Sequence, residues 1–411
     1  MMSPDGGSRT ERSAVMLEIA IDELGIGNDK VAYVTLPANR NAVIDAMDKE
    51  KIFGETFLRI TECDEVPELA GYEFTEEPTL EELNFLAKRL DEFSSDKEDF
   101  TSIIAYRALL KRGFGTIGEA INSTYNLQTI PVYPCRNVHA YGEIVLENQI
   151  LEELDDVPDE VYDLLDPDKV GRAMMEREGG VFIDGYYAIA SSYESALVYD
   201  EKLPERMEDW VFKLEVAGIP EREDDFGRMK TEIFTLPTDE DHMQDVAEAL
   251  GKNNIGDCMI MNFESAIPQI QNDCFENIED IYVLNDIAQK FSELSREDAA
   301  KFKAVLSAEK PSDLGNIENI LFALNQYEAD ISINYASEFG AKYLAKMMPP
   351  DFDRSLLKGA CTAEFAQKIL SANECAFTEY GVISKCGGHL YSMVEAPDQE
   401  QETTLQMGGI S

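Results

Sequence analysis

The chain has 411 residues, with 81 Asp and Glu against 35 Lys and Arg, a formal net charge of −46. With 44% hydrophobic residues, 20 Phe and 17 Tyr, it carries enough apolar surface for folded cores, which excludes an acidic disordered tail. Such a charge repels nucleic acid and anionic lipid, so the expected partners are basic surfaces, above all those that hold DNA or RNA.

The length suits about two to four domains. Residues 1–12 are polar and Gly/Ser-rich and are expected to be unstructured, as is the tail at 396–411. No run of about 18 apolar residues offers a membrane helix. The first apolar stretch is broken by Glu18 and Asp22 and does not read as a secretory signal. Seven cysteines (63, 135, 258, 274, 361, 375 and 386) form no Cys-x-x-Cys pair. This points away from a disulfide framework and towards a reducing cytoplasm.

In chain order, β-prone runs at 15–21 and 31–36 flank a turn-rich stretch and predict a hairpin. Leu36-Pro37 is expected to end the strand and open a helix, because proline fits a first helical turn but not a central strand. With a third strand at 56–61 this makes a sheet-helix subdomain, 13–75. Thr79-Leu-Glu-Glu82 is a capping box. Leu80, Leu83, Leu86, Ala87, Leu90 and Phe93 follow it on one helical face. Shorter helices near 97–110 and 116–126 complete an acidic helical subdomain, 76–140. The segment 141–200 holds an acidic linker with no Lys or Arg between Glu147 and Asp168, a helix at 169–177 stopped by Gly179-Gly180, and a hairpin at 181–190.

The order then recurs. Val31-Ala-Tyr-Val-Thr-Leu-Pro37 is matched by Thr231-Glu-Ile-Phe-Thr-Leu-Pro237, and Leu83-Asn84 by Leu284-Asn285. The apolar spacing of 117–127 is matched at 317–327, and that of 170–189 at 365–383. The second copy is expected as a sheet-helix subdomain at 205–275, a helical subdomain at 276–345 opening on Asn277-Ile-Glu-Asp280, and a helix-hairpin at 346–395. The fold class is therefore α+β, a tandem duplication of one unit.

Residues that carry chemistry are sparse. His139, His242 and His389 have no metal-ligand spacing, no glycine-rich phosphate loop or nucleophile elbow is present, and no metal or cofactor is expected. Cys375 and Cys386 with His389 form the one conceivable nucleophile–base set, but Gly180 stands in the first copy where Cys375 stands in the second. Carboxylate pairs are so frequent here that none is specific, and a chain without a basic stripe is poorly suited to holding an anionic substrate. The expectation is a non-catalytic protein.

Three acidic strips are the candidate partner-binding residues. The first is Glu76, Glu77, Glu81, Glu82, Asp91, Glu92, Asp96, Glu98 and Asp99. The second is Glu152, Glu153, Asp155, Asp156, Asp159, Glu160, Asp163, Asp166 and Asp168. The third is Glu276, Glu279, Asp280, Asp286 and Glu293, extended by Glu297 and Asp298. Each segment alone is what a solvated helix face or acid bias at a helix start also produces. The excess over the whole folded chain is harder to explain that way. Duplex DNA carries one charge per ~1.7 Å of axis, so 46 charges correspond to at most roughly 78 Å.

Thr79-Leu-Glu-Glu-Leu-Asn-Phe-Leu-Ala-Lys-Arg-Leu-Asp-Glu-Phe93, then Phe100, then Thr116-Ile-Gly-Glu-Ala-Ile-Asn122, resembles the ArdA antirestriction proteins. Leu164-Leu-Asp-Pro-Asp-Lys-Val-Gly-Arg172 and Glu178-Gly-Gly-Val-Phe182 look like larger ArdA-domain proteins of mobile elements. The resemblance covers most of the first copy and, more faintly, the second. It implies a DNA mimic that occupies the DNA groove of type I restriction–modification enzymes, without catalytic residues. Ordinary ArdA proteins are shorter and dimerise, so this duplicated chain is expected either to hold its pseudo-dimer internally or to form a homodimer. Lys290, Lys301, Lys303 and Lys310 are expected to blunt mimicry in the second copy. The alternatives are an acidic interaction adaptor, whose binding survives high salt, and a metal-dependent hydrolase.

Overall fold

The computed structural model describes residues 16–25, 30–95, 100–151, 158–162, 164–191, 193–200, 202–219, 229–274, 280–349, 351–353, 362–372, 375–386 and 390. Both termini expected to be unstructured lie outside these residues, as does the second capping motif up to residue 279. The chain divides into two units, the first of residues 1–38 and 54–208, the second of residues 39–53 and 209–411.

The first unit begins with β1 (Leu17–Glu23) and β2 (Val31–Leu36). The chain then gives α1 (Arg40–Lys49) to the second unit and returns for β3 (Thr56–Cys63). These strands form one antiparallel sheet in the order β2-β1-β3. Leu17, Ile19, Ala20 and Ile21 are all buried in the central strand, whereas edge strand β2 alternates buried Ala32, Val34 and Leu36 with exposed Tyr33 and Thr35. That is the period-two pattern of a half-solvated edge.

Three helices follow: α2 (Leu80–Ser95), α3 (Phe100–Arg112) and α4 (Ile117–Asn122). Leu83, Leu86, Ala87 and Leu90 of α2 are fully buried, as their spacing predicts. Arg107 of α3, itself buried, donates to Glu68 at 2.8 Å and to Asp184 at 2.6 Å. The unit closes with β4 (Val132–Tyr133), α5 (Val138–Glu147), α6 (Asp159–Tyr162), α7 (Pro167–Glu178), β5 (Val181–Ile183) and β6 (Tyr186–Ala188). Helix α7 ends on Gly179 at φ +66°, the left-handed cap expected there. Helix α5 was not expected. It packs on α7 so closely that a Cβ on Gly142 would lie 1.8 Å from the Pro167 carbonyl oxygen. Only a glycine lets the backbones meet at that distance.

The second unit runs in a similar order, without a counterpart of α6 among the described residues: β7 (Phe212–Gly218), β8 (Thr231–Leu236), α8 (Glu240–Ala249), β9 (Cys258–Ser265), α9 (Asp280–Glu293), α10 (Arg296–Glu309) and α11 (Leu314–Phe322). Then come β10 (Tyr327–Asp330), α12 (Ala336–Met347), α13 (Thr362–Ala372), β11 (Ala376–Thr378) and β12 (Gly381–Lys385). Strand orders β8-β7-β9 and β10-β12-β11 match β2-β1-β3 and β4-β6-β5. A Cβ on Gly340 would meet the Thr362 carbonyl oxygen at 2.1 Å, so α12 and α13 meet as closely as α5 and α7. One core joins Phe212, Leu236, Ile281, Leu284, Ile287, Phe302, Ile317 and Tyr327. The fold is α+β with small antiparallel three-stranded sheets.

Two further details differ from the sequence-based expectation. Pro37 and Pro237 stand in cis peptide bonds and are not the first helical residues. The helices begin three residues later, because Asn39 and Asp239 take the cap positions and accept from Asn41 N–H and His242 N–H. Residues 39–53, expected to stay with the first sheet, group with the second unit. The reason is the buried charge cluster described below. Among the described residues no helix is long and apolar enough to cross a membrane.

Candidate functional site

The acidic strips divide into free surface and helix-end acids. Glu76 and Glu77 are exposed ahead of α2. Glu81 and Glu82, in its first turn, are half-buried. Glu82 is committed to structure: it accepts from Thr79 N–H at 2.7 Å and from the Tyr199 hydroxyl at 2.6 Å, while Glu82 N–H donates to the Thr79 hydroxyl at 3.3 Å. The capping box is therefore made in full. Asp91 is half-buried, and exposed Glu92 pairs with Arg89, whose guanidinium lies 4.3 Å over the Tyr125 ring. Asp96, Glu98 and Asp99 lie outside the described residues.

In the second strip Glu152, Glu153, Asp155, Asp156 and Asp163 lie outside the described residues, and Asp159 and Glu160 fall in α6. Asp166 caps α7 by accepting from Asp168 N–H at 3.0 Å. Asp168 lies 3.1 Å from His139 Nδ1, and Glu143 lies 3.4 Å from its Nε2. The Asp168 hydrogen bond first, then the surrounding carboxylates, hold the imidazole above its ordinary value. Both acids thus act locally at the start of α7, where the helix dipole favours negative charge.

In the third strip Asp280 is half-buried in the first turn of α9, and Asp286 and Glu293 are exposed on it. Exposed Glu297 and Asp298 open α10, where Asp298 N–H donates to Ser295 Oγ at 3.1 Å. Glu276 and Glu279 lie outside the described residues. Sequence reasoning placed a helix, α8, after Pro237 but passed over its acidic face. Glu240, Asp241, Asp245 and Glu248 are all exposed there, while Met243, Val246 and Ala247 face the core. The signal was present, since 241, 245 and 248 share one face at helical spacing.

Of the lysines expected to oppose this surface, Lys303 is placed otherwise. Lys303 is 2% exposed and lies 2.8 Å from Asp45 and 2.9 Å from Asp48. It is an internal ion-pair partner and not a surface charge. Arg296 donates to Asp48 at 3.1 Å and to the Ile52 carbonyl at 2.6 Å, and the Tyr380 hydroxyl donates to Asp45 at 2.8 Å. Burial, and then Asp45, push the Tyr380 phenol up, so it stays a donor. Lys51, also buried, donates to the Glu379 carbonyl. Two buried carboxylates without such partners would carry a desolvation penalty far above what a helix docking returns. Lys290 is drawn to Glu318 at 3.0 Å and lies 3.6 Å over the Phe322 ring. Lys301 is half-buried and Lys310 is exposed.

Among the described residues no group of three or more His, Cys, Asp or Glu is placed to hold a metal ion. Burial pushes the Cys375 thiol up, and the Cys386 thiol is also held above its ordinary value, which disfavours the thiolate a nucleophile needs. His389 lies outside the described residues. The arrangement is one of distributed negative charge on two folded units. No protein-family model matches the chain, and no curated protein matches it.

Proposed function

We propose that this protein is a non-catalytic acidic decoy that occupies a basic DNA-binding cleft. The observation that carries the reading is a net charge of −46 over the chain, with exposed carboxylates on the described residues at Glu76, Glu77 and Glu92 in the first unit and along α8, α9 and α10 in the second. A basic cleft docking such a surface releases its bound anions, so affinity falls steeply with salt. The likeness of residues 79–122 to ArdA antirestriction proteins directs the choice of target to a type I restriction–modification complex in the cytoplasm.

The test is competition. The full chain is titrated into that complex against labelled duplex DNA at low and at high salt. Displacement that weakens as salt rises is the expected result. Absence of displacement at low salt removes this target, and salt-resistant binding would favour the adaptor instead.

A further inference from the structure

Helices α1 and α8 hold matching places in the chain. Each follows a cis Leu–Pro bond and opens on a side-chain cap two residues after the proline. The residue after each proline is anchored alike: Ala38 N–H donates to Asn84 Oδ1 at 2.7 Å, and Thr238 N–H to Asn285 Oδ1 at 2.8 Å. Val43 and Met243 are buried at the same turn. In this correspondence Asp45 answers to Asp245, and Asp48 to Glu248.

The two carboxylate pairs meet opposite fates. Asp45 and Asp48 are buried and gripped by Lys303 and Arg296. Those cations stand seven residues apart on α10, two turns and so about 10.5 Å along one helix face. Asp245 and Glu248 are exposed, and exposed Asp241 extends the row by one turn. Glu248 accepts from Gln244 at 3.0 Å, a neutral donor that leaves the charge in place. Helix α8 thus turns to solvent the carboxylate pattern that α1 gives to the two cations Arg296 and Lys303 of α10.

We propose that this face of α8 is a docking surface for a helix of a partner protein that carries Lys or Arg at positions seven apart. The inference rests on the decoy reading and names the feature of the basic partner that is recognised. The α10 helix of a second copy does not fit, because its Arg296 and Lys303 are already engaged by Asp45 and Asp48. Exposed pairs are individually weak, so the contact depends on two or three acting together and on low salt.

The experiment uses the full-length protein and two labelled alanine-based helical peptides of equal composition. One has Arg and Lys seven apart on one face, and the other has them five apart on opposing faces. Fluorescence anisotropy at low salt is expected to show tighter binding of the first peptide. D245N/E248Q should weaken that binding about tenfold, the loss expected from two exposed pairs, while D351N/E364Q removes the same charge elsewhere in the unit and leaves it unchanged. Equal binding of the two peptides, equal loss in the control variant, or no binding overturns the proposal. In the DNA-competition assay, undiminished competition by D245N/E248Q sinks the α8 surface while the decoy reading stands. Failure of the parent chain to compete, with peptide binding intact, sinks the decoy target instead.

Discussion

Lys303 Nζ lies 2.9 Å from the Asp48 carboxylate, and both side chains are withdrawn from solvent, at 2% and 0% exposure. The residues stand 255 positions apart, and both belong to the second unit because the chain lends it residues 39–53. Replacing Lys303 with Met removes the one cation that touches both carboxylates and leaves Asp48 on Arg296, and Asp45 on Tyr380 and on Lys49 at 3.0 Å. Breaking one side of such a buried pair costs about 3–5 kcal/mol. Urea unfolding of K303M should show that loss, and the D45N/D48N/K303M variant should recover much of it. Equal stability of K303M and the parent would show that the cluster does not hold α1.

The capping box at Thr79 and Glu82 gives a smaller, local expectation. Thr79→Ala removes the acceptor for Glu82 N–H and one of the donors to the Glu82 carboxylate, for a loss of about 1 kcal/mol. Thr79→Ser keeps both contacts and should be near neutral. The urea midpoint of the first unit reads the difference.

The glycine at the α5–α7 crossing allows no side chain. Gly142→Ala would drive a methyl group to within 1.8 Å of the Pro167 carbonyl oxygen, so the helices must separate. Overpacking of this kind costs about 1–3 kcal/mol or more. Gly115→Ala, where the nearest atom is the Glu119 carboxylate at 3.3 Å, has a flexible side chain to displace and is the milder control. Thermal unfolding of the two variants separates these outcomes.

His139 adds a pH dependence of defined sign. Asp168 and Glu143 favour its protonated form, so its folded pKa lies above the ordinary 6.5. A raised folded value means the contact contributes fully below about pH 6.5 and is lost as pH rises through the folded value. NMR titration should place His139 above 6.5 in the parent and lower in D168N, where Glu143 still favours the protonated form. A value at or below 6.5 in the parent would remove the Asp168 contact from solution.

Distributed charge predicts how mutations combine. Single replacements of Asp286, Glu293, Glu76 or Glu77 each remove one exposed charge and should change DNA competition by about 1 kcal/mol or less. Reversal of Asp241, Asp245 and Glu248 together to Lys should lower it far more. A single carboxylate whose loss abolishes the effect would point to a localized site instead.

Much of the architecture is legible along the chain, because the interactions that carry it are local. The stripe from Leu80 to Phe93, the Thr79–Glu82 box, the Gly179 stop and the alternation of β2 all follow from periods and caps spanning fewer than about four turns. The repeated order of elements is read the same way, by comparing one local pattern with another. Helix α5 escaped notice because its two features, a cap at Asn137 and a glycine at 142, make sense only once α7 lies against it.

Sequence by itself determined the sign and size of the charge, the α+β class and the strongly patterned elements such as α2 and β2, since these follow from composition and from contacts within a few residues. Tertiary structure alone decided which charges reach solvent. Asp48 and Glu248 sit at corresponding places on helices of similar pattern, and nothing near either one says that the first will be buried on Lys303 and Arg296 while the second stays exposed. That outcome depends on where a helix some 250 residues further along the chain is placed. The electrostatic cost of burying a carboxylate is set by the groups that surround it in space, wherever they stand in the chain.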